Sequence, residues 1–437
     1  MKLPSEKLNV LLIGGAGREH ALAWKLKQSR RLGQLFATHT TNPGIAGLAQ
    51  PIDHDFSMKE LYRLQQFIEA KKIQLVVVGP EDPLAQGIVD KLSSDKLAVF
   101  GPTAEGAQLE SNKAWAKRLM RAASIPTAES RSFTDPKVAK AFLESREEAY
   151  VIKASGLAAG KGVVVASDRA EGLAAVDRFM IKREFGDAGA EIVIEERLKG
   201  PEVSVFALTD GRSIFILDSA RDHKRLGEND TGPNTGGMGA FSPAGLLDER
   251  AMSRIEREVL VPVVDALRRD DITYRGLLYA GLMLTHAGPK VLEFNCRFGD
   301  PECQTLMPRL KGDLVEILYA TATGQLEHID LAWDTRAAVC IVLCSSGYPG
   351  EYKTGFPITG LEEASKLPET FIFHAGTKRA AARDSAQPGV VITSGGRVVN
   401  VVALGDTIAE ARTRALAAAD VINFEGKTFR RDIAAAG

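Results

Sequence analysis

The chain has 437 residues, of which 45% are hydrophobic and 25% charged, a composition that suits a globular protein of two to four domains. Its 55 Lys and Arg against 56 Asp and Glu leave a formal net charge of −1, which excludes a broad basic field for nucleic acid or an anionic membrane. Any phosphate recognition must therefore be local.

The first hundred residues alternate strand and helix. Leu8–Ile13 reads as a strand, 18–28 as a helix, 34–38 as a strand and Leu61–Ala70 as a helix, with further strands at 75–78 and Ala98–Phe100. This βαβ rhythm implies an open parallel sheet, whose ligands gather at the carboxyl ends of the strands. The pattern changes near residue 108. An amphipathic helix is expected over 108–123, ended by Ile125-Pro126-Thr127. Short strands follow at Tyr150–Ala154, 162–166, 191–195 and 203–208, with a helix at 170–179, which makes a small α+β lobe. A helix at 248–269 leads to strands at 277–284 and 289–295, joined by a tight turn at Ala287-Gly288. The last hundred residues read as an antiparallel β module, with strands at Ala337–Ser345, 371–377, 389–393 and 397–404 before a helix at 407–421. Residues 380–387 come nearest to a mobile loop.

The four cysteines, Cys296, Cys303, Cys340 and Cys344, and seven histidines show no zinc-ligand spacing, so reduced thiols in a cytoplasmic protein are expected. The first strand begins within eight residues, leaving no room for a signal peptide, and no apolar run approaches the ~20 residues of a membrane span.

Two glycine-rich loops carry phosphate chemistry. Ile13-Gly14-Gly15-Ala16-Gly17-Arg18-Glu19-His20 leaves a strand and opens a helix, where free backbone N–H groups attract anions. It is not a dinucleotide fingerprint, because His20 stands where the third glycine belongs and the second strand ends at Thr38-His39 without a ribose-binding carboxylate. A phosphate-bearing substrate fits better; tight packing is the competing explanation. The second loop, Lys153-Ala154-Ser155-Gly156-Leu157-Ala158-Ala159-Gly160-Lys161-Gly162, misses the Walker spacing and leads into a strand. It reads as a flap over phosphates, with Lys153 at the end of the strand before it.

In Val291-Leu292-Glu293-Phe294-Asn295, strand alternation projects Glu293 and Asn295 together, a pair suited to a hard cation bridging phosphates. Arg297 follows with a guanidinium fork for phosphate or carboxylate. The stretch Ile194-Glu195-Glu196-Arg197-Leu198, with Glu202 beyond it, could read an adenine edge and a ribose, although solvated charge at a strand end explains it equally well.

These residues resemble the phosphoribosylamine–glycine ligase (glycinamide ribonucleotide synthetase) family. The resemblance rests on Gly-Arg-Glu-His-Ala-Leu at 17–22, Gly-Pro-Glu-Asp-Pro-Leu at 79–84, the 156–162 loop, Asp222-His223-Lys224-Arg225, the run 230–239 and Asn-Cys-Arg-Phe-Gly-Asp-Pro-Glu at 295–302. It implies a multidomain α/β and α+β protein with an ATP-grasp fold. A Rossmann-like parallel-sheet domain would span 1–107, the ATP-grasp domain 108–330 with its flap lobe at about 127–196, and a β-rich domain 331–437. The implied reaction joins glycine to 5-phosphoribosylamine in purine biosynthesis, consuming ATP through glycyl phosphate. Lys113 and Lys153 would contact ATP phosphates under the flap of Gly156, Gly160, Lys161 and Gly162. Glu195, Glu196 and the backbone at Leu198 would hold adenine, and Glu202 the ribose. Glu293 and Asn295 would carry Mg²⁺ or Mn²⁺. Gly15, Gly17, Arg18, Glu81 and Asp82 would face the phosphoribosylamine, with Asn234 and Gly236 lining the acyl-transfer site. Arg297, Lys153 and Asp222 would be catalytic. A monomer or weak homodimer is expected, with no nucleic-acid or membrane partner.

The chain departs from the family pattern at Ala16, Ser155 and Ile45, where Gly, Asp and Asn are usual, and strand 277–284 lacks an extra acidic metal ligand. The alternative is another ATP-grasp carboxylate–amine ligase. A nicotinamide-dependent oxidoreductase and a non-catalytic nucleotide sensor are the readings from other classes.

Overall fold

The computed structural model describes residues 6–148, 150–158, 160–381 and 389–435; most of the expected 380–387 loop lies outside the described residues. Strands β1 (Leu8–Ile13), β2 (Leu32–Ala37), β3 (Gln50–Pro51), β4 (Ile73–Val78) and β5 (Ala98–Phe100) form an all-parallel sheet in the order β3-β2-β1-β4-β5. Continuous apolar runs suit it, because both faces of the central strands are buried. The helix Gly17–Leu26 starts directly after the β1 loop. There Glu19, 1% exposed, turns its carboxylate back so that Oε2 accepts from Ala16 N at 2.7 Å. A Cβ on Gly14 would lie 2.6 Å from Glu19 Cγ, and one on Gly79 2.2 Å from Glu19 Oε1. Both glycines thus make room for a buried carboxylate packed between the β1 and β4 loops.

The flap lobe is a four-stranded antiparallel sheet of β6 (Ser130–Phe133), β7 (Tyr150–Ala154), β8 (Val163–Val165) and β9 (Ile192–Glu196), ordered β6-β9-β7-β8. Helices Pro136–Glu144 and Arg169–Val176 close its own small core around Ile152, Phe179 and Ile194. Next, β10 (Glu202–Thr209) and β11 (Ile214–Ile216) open the central sheet. The chain then makes β12 (Arg221–Asp222), the hairpin β13 (Arg225–Gly227) and β14 (Thr231–Asn234), and β15 (Gly239–Ser242). Strands β16 (Gly276–Thr285) and β17 (Gly288–Asn295) return to complete the antiparallel order β11-β10-β16-β17.

The C-terminal region supplies β18 (Ala337–Ser345), β19 (Thr370–His374), β20 (Thr377–Arg379), β21 (Val391–Thr393), β22 (Arg397–Gly405) and β23 (Lys427–Thr428), with the helix Ile408–Val421 packed on β18 and β22. The large sheet runs β12-β15-β18-β22-β19, and β15 pairs antiparallel with β18 from Gly239↔Ile341 to Ser242↔Ala338. Backbone pairing therefore crosses the division expected at 330. His20 and Asn42 add a second junction, between the N-terminal sheet domain and this module. Burial holds His20 down to about 3, so its neutral Nδ1 accepts from His374 N at 2.8 Å, while Asn42 Nδ2 donates to His374 O at 2.9 Å.

Two expectations need correction, and two helices were not foreseen. The helix expected over 108–123 is two helices, Gln108–Ser111 and Lys113–Ala122, broken at Asn112 (φ −142°, ψ 92°). Asn112 Oδ1 caps the second by accepting from Trp115 N at 3.0 Å, a local alternative to the helix that asparagine favours. The strand expected at 371–377 divides into β19 and β20, which pair with different partners. The buried helices Glu302–Arg309 and Leu314–Thr323 had no expectation: the first carries an internal Pro308, and the second is apolar nearly all round, so no polar face marks it as a helix.

Candidate active site

One cavity of about 720 Å³ opens where the flap sheet, the central sheet and the loops after β1 and β4 converge. The carboxyl-end position expected for a parallel sheet thus forms one wall of a larger cleft. Arg18, Glu81, Lys113, Lys153, Gly160, Gly162, Glu195, Glu196, Leu198, Glu202, Asp222, Asn234, Gly236, Glu293, Asn295 and Arg297 all line it. Gly15, Gly17, Asp82, Gly156 and Lys161 stand outside its lining. A Cβ on Gly17 would lie 2.0 Å from Asn400 Nδ2, and one on Gly156 2.7 Å from Ala188 Cα, so close packing accounts for both. Lys161 is exposed at the flap tip, beside Ala159, which lies outside the described residues.

Glu293 sits on β17 opposite Gly281 of β16. Burial pushes its pKa up, but Lys224, Lys153, Lys113 and Arg297 outweigh burial and bring it to about 2. Among the described residues no hydrogen bond or ion pair engages this carboxylate. An ionised, partnerless oxygen pair facing a cavity, with the Asn295 amide two residues along the same face, fits a divalent cation. The described residues hold no cluster of three or more His, Cys, Asp or Glu suited to a metal, so the protein alone could supply only part of its coordination shell.

Arg297 is gripped by two carboxylates, Glu110 at 2.6 Å and Glu81 at 3.2 Å, and also donates to Asn295 Oδ1 at 3.3 Å. Glu110 itself accepts from Cys296 N at 2.9 Å. Burial lowers the Arg297 pKa, but Glu110 and Glu81 overcome it and hold the group well above its ordinary value, so the guanidinium is permanently charged. Arg18 is equally occupied: it pairs with Glu19 at 2.6 Å and donates to Phe298 O at 3.0 Å. A linked set Arg18–Glu81–Arg297–Glu110 therefore joins the N-terminal sheet domain to the end of β17.

Across the cavity, Lys224 lies 3.2 Å from Glu202, and Tyr279 Oη donates to Glu302 at 2.7 Å while exchanging a 2.8 Å hydrogen bond with Ser204. Burial pushes the Asp222 carboxyl up to about 7; Lys224 opposes this, and Glu302, Glu202 and Glu293 add to it. Lys153 reaches the carboxylate of Glu195 and donates to Leu292 O at 3.1 Å. The Glu195 carboxylate, expected beside adenine, is thus turned toward lysines, and Glu196 is drawn to Lys290 at 2.8 Å.

Glu110, Lys117, Lys224, Glu302 and Arg397 also line the cavity without having been singled out from the sequence. Lys224 and Glu302 fall inside the family blocks at 222–225 and 295–302, which could have flagged them. Arg397 had no local signal. It reaches from β22 to Gly236 O at 2.5 Å and Asp300 O at 2.6 Å, and Tyr348 Oη accepts from Gly236 N at 2.9 Å. The strained hairpin below, with Asn229 and Asp230 at φ of 55° and 53°, is held by Arg430, 2% exposed, which bonds Asp230 and Arg225 O at 2.8 and 2.9 Å. The C-terminal sheet thus shapes the substrate-side loop.

Two departures from the family pattern have structural explanations. Ser155 Oγ donates to Asn112 Oδ1 at 3.0 Å and accepts from Ala114 N at 3.1 Å, which docks the flap strand on the start of the helix that carries Lys113. Ile45 is fully buried, in a core that also contains Leu22 and Phe373.

An antiparallel central sheet and a smaller antiparallel flap sheet, closed over lysines and a buried acidic strand, define an ATP-grasp enzyme. Family models described as the phosphoribosylglycinamide synthetase N domain, ATP-grasp (A) domain and C domain match residues 8–110, 111–303 and 338–436. The chain belongs to the phosphoribosylglycinamide synthetase family. It is 48% identical to the phosphoribosylamine–glycine ligase of Rhodopirellula baltica over 98% of this chain and 97% of that one. It is also 48% identical to the trifunctional purine biosynthetic protein adenosine-3 of Gallus gallus, over 97% of this chain and 42% of that longer protein. The crystal structure of phosphoribosylamine–glycine ligase from Thermotoga maritima matches with a TM-score of 0.83 at 31% identity, covering 98% of this chain and all of that one. No helix among the described residues is long and apolar enough to cross a membrane.

Proposed function

We propose that the chain joins glycine to 5-phosphoribosylamine, giving glycinamide ribonucleotide, ADP and phosphate by way of glycyl phosphate. The observation that carries this reading is the ionised, partnerless Glu293 facing Lys113, Lys153, Lys224 and Arg297 inside one cavity, in a chain of this family. The glycine carboxylate attacks the γ-phosphate of ATP, and the substrate amine then attacks the activated carbonyl and expels phosphate. No protein nucleophile is required, so catalysis comes from positioning and charge neutralisation.

Lys113 and Lys153 take the nucleotide phosphates, under the flap that includes Gly160 and Gly162. The backbone at Leu198 and the Glu196 side reach adenine, and Glu202 the ribose. Glu293 and Asn295 would hold the divalent cation, Mg²⁺ or Mn²⁺, which would supply charge neutralisation for phosphoryl transfer. Arg18 and Glu81, which line the cavity from the loops at 15–18 and 81–82, face the phosphoribosylamine, and Asp222, Asn234 and Gly236 surround the acyl-transfer centre. A carboxyl near 7 at Asp222 suits a group that accepts the proton shed by the attacking amine. Flap closure keeps water from the acyl phosphate.

The test is ADP release with amino acids offered singly, with and without phosphoribosylamine. Turnover strictly dependent on glycine and that amine is the expected result. Equal turnover with another amino acid or another amine would assign the chain to a different carboxylate–amine ligation, and ATP binding without any ADP release would make it a nucleotide sensor.

A further inference from the structure

Under the proposed nucleotide site, Glu195 is 2% exposed and lies between two ammonium groups. One is Lys153 of β7; the other is Lys117 of the helix Lys113–Ala122, whose Nζ lies 2.6 Å from Glu195 Oε2, off the line of a hydrogen bond. Lys117 is 4% exposed and is pinned: its Nζ donates to Thr127 Oγ1 at 2.7 Å, and Thr127 Oγ1 donates to Val291 O at 2.6 Å. That anchor lies where the chain enters the flap lobe, and Val291 N donates back to Pro126 O at 2.8 Å. Lys153 also has one further contact, but it is Leu292 O, the residue before Glu293 on β17, so its ammonium already sits against the strand that faces the cavity.

The two lysines therefore differ in what they can do. If Lys153 turns to an ATP phosphate, it leaves a carboxylate that burial would make costly to keep charged and alone. Lys117 is the counter-ion that stays. We propose that Lys117 is a positioning residue that keeps Glu195 neutralised, so that Lys153 is free to move from Glu195 to the nucleotide phosphate. This rests on the reading above, in which Lys153 contacts ATP. Lys117 itself does not touch the reacting atoms. Its helix also starts at the Asn112 cap bonded to Ser155, so flap, counter-ion and Lys113 are set by one short segment.

The experiment is a double-mutant cycle on the full chain, reading kcat and the KM of ATP and glycine separately, with thermal melts to show that each variant folds. Lys117→Met is expected to raise the ATP KM by about tenfold or more with little change in the glycine KM, because Lys153 becomes the only partner of Glu195; Lys117→Arg should restore most of it. Once Glu195 is made neutral, Lys117 loses its task, so Lys117→Met/Glu195→Gln should stay within about threefold of Glu195→Gln alone. This comparison removes both charges together and holds even if Lys117→Met alone fails to fold. An ATP KM about tenfold worse in the double variant than in Glu195→Gln, or an unchanged ATP KM in a folded Lys117→Met, would overturn the proposal. Lys153→Met tests the underlying reading separately: wild-type ATP kinetics there would remove Lys153 from the nucleotide site whatever Lys117 does.

Discussion

Arg297→Ala should lower kcat by about 10²–10³-fold and cost about 3–5 kcal/mol of stability, through two separable effects. From the ATP-grasp region the guanidinium reaches Glu81 and Glu110, both inside the N-domain match, beside the Asn295 amide. Removing it leaves Glu110, 7% exposed, without its cation, and burial already pushes that carboxyl above its ordinary range although Arg297 pulls it down. The stability loss should therefore fall on Glu110, and Arg297→Ala/Glu110→Gln should recover most of the melting temperature. Turnover should not recover, because the permanent charge next to β17 is still missing. Stopped-assay kcat and thermal denaturation of the single and double variants separate the two effects. Near wild-type turnover in either variant would remove Arg297 from catalysis and leave it a domain tie.

Glu293→Gln should weaken metal-dependent ATP binding by about 100-fold or more, since even supporting residues around metal ligands cost 10–100-fold. The substitution is nearly isosteric and faces Gly281, so the fold should be retained. It also strips the negative charge that the nearby Lys113, Lys153 and Lys224 surround, so those lysines would repel one another more strongly. ATP affinity measured by titration at fixed and varied divalent cation is the readout. An unchanged cation titration would show that Glu293 is not a ligand.

Much of this was legible in the sequence because apolar runs with glycine turns mark strands locally and apolar periodicity marks helices. Leu8–Ile13, Leu61–Ala70, Tyr150–Ala154 and Ala337–Ser345 need only such signals, and the structure has each with the expected bounds. The Glu293–Asn295 pair was legible for the same reason: alternation along a strand puts both on one face. What escaped is non-local. Asn112 breaks a helix whose apolar spacing continues through the break, and only the contact with Ser155 reveals what the break achieves. Glu110, Lys117 and Arg397 are charged residues with unremarkable neighbours, and their roles come from partners brought together by folding. The span from Arg397 to Gly236 is 161 residues, and that from Arg430 to Arg225 is 205. The same applies to the sheet that carries β15 into the C-terminal module, since strand propensity does not specify a partner. Gly17 carries a second, non-local constraint that its place in a phosphate-type loop did not show: a Cβ there would lie 2.0 Å from Asn400 Nδ2 and 2.7 Å from Gln304 Nε2.

The central claim is that ATP is spent on activating a carboxylate as its acyl phosphate. The most direct measurement is to run the reaction with glycine labelled with ¹⁸O in both carboxylate oxygens and to read the released phosphate by mass spectrometry. The account predicts one ¹⁸O in each phosphate released, carried over when the amine displaces phosphate from glycyl phosphate. Phosphate free of label, or label appearing instead in AMP, would contradict it.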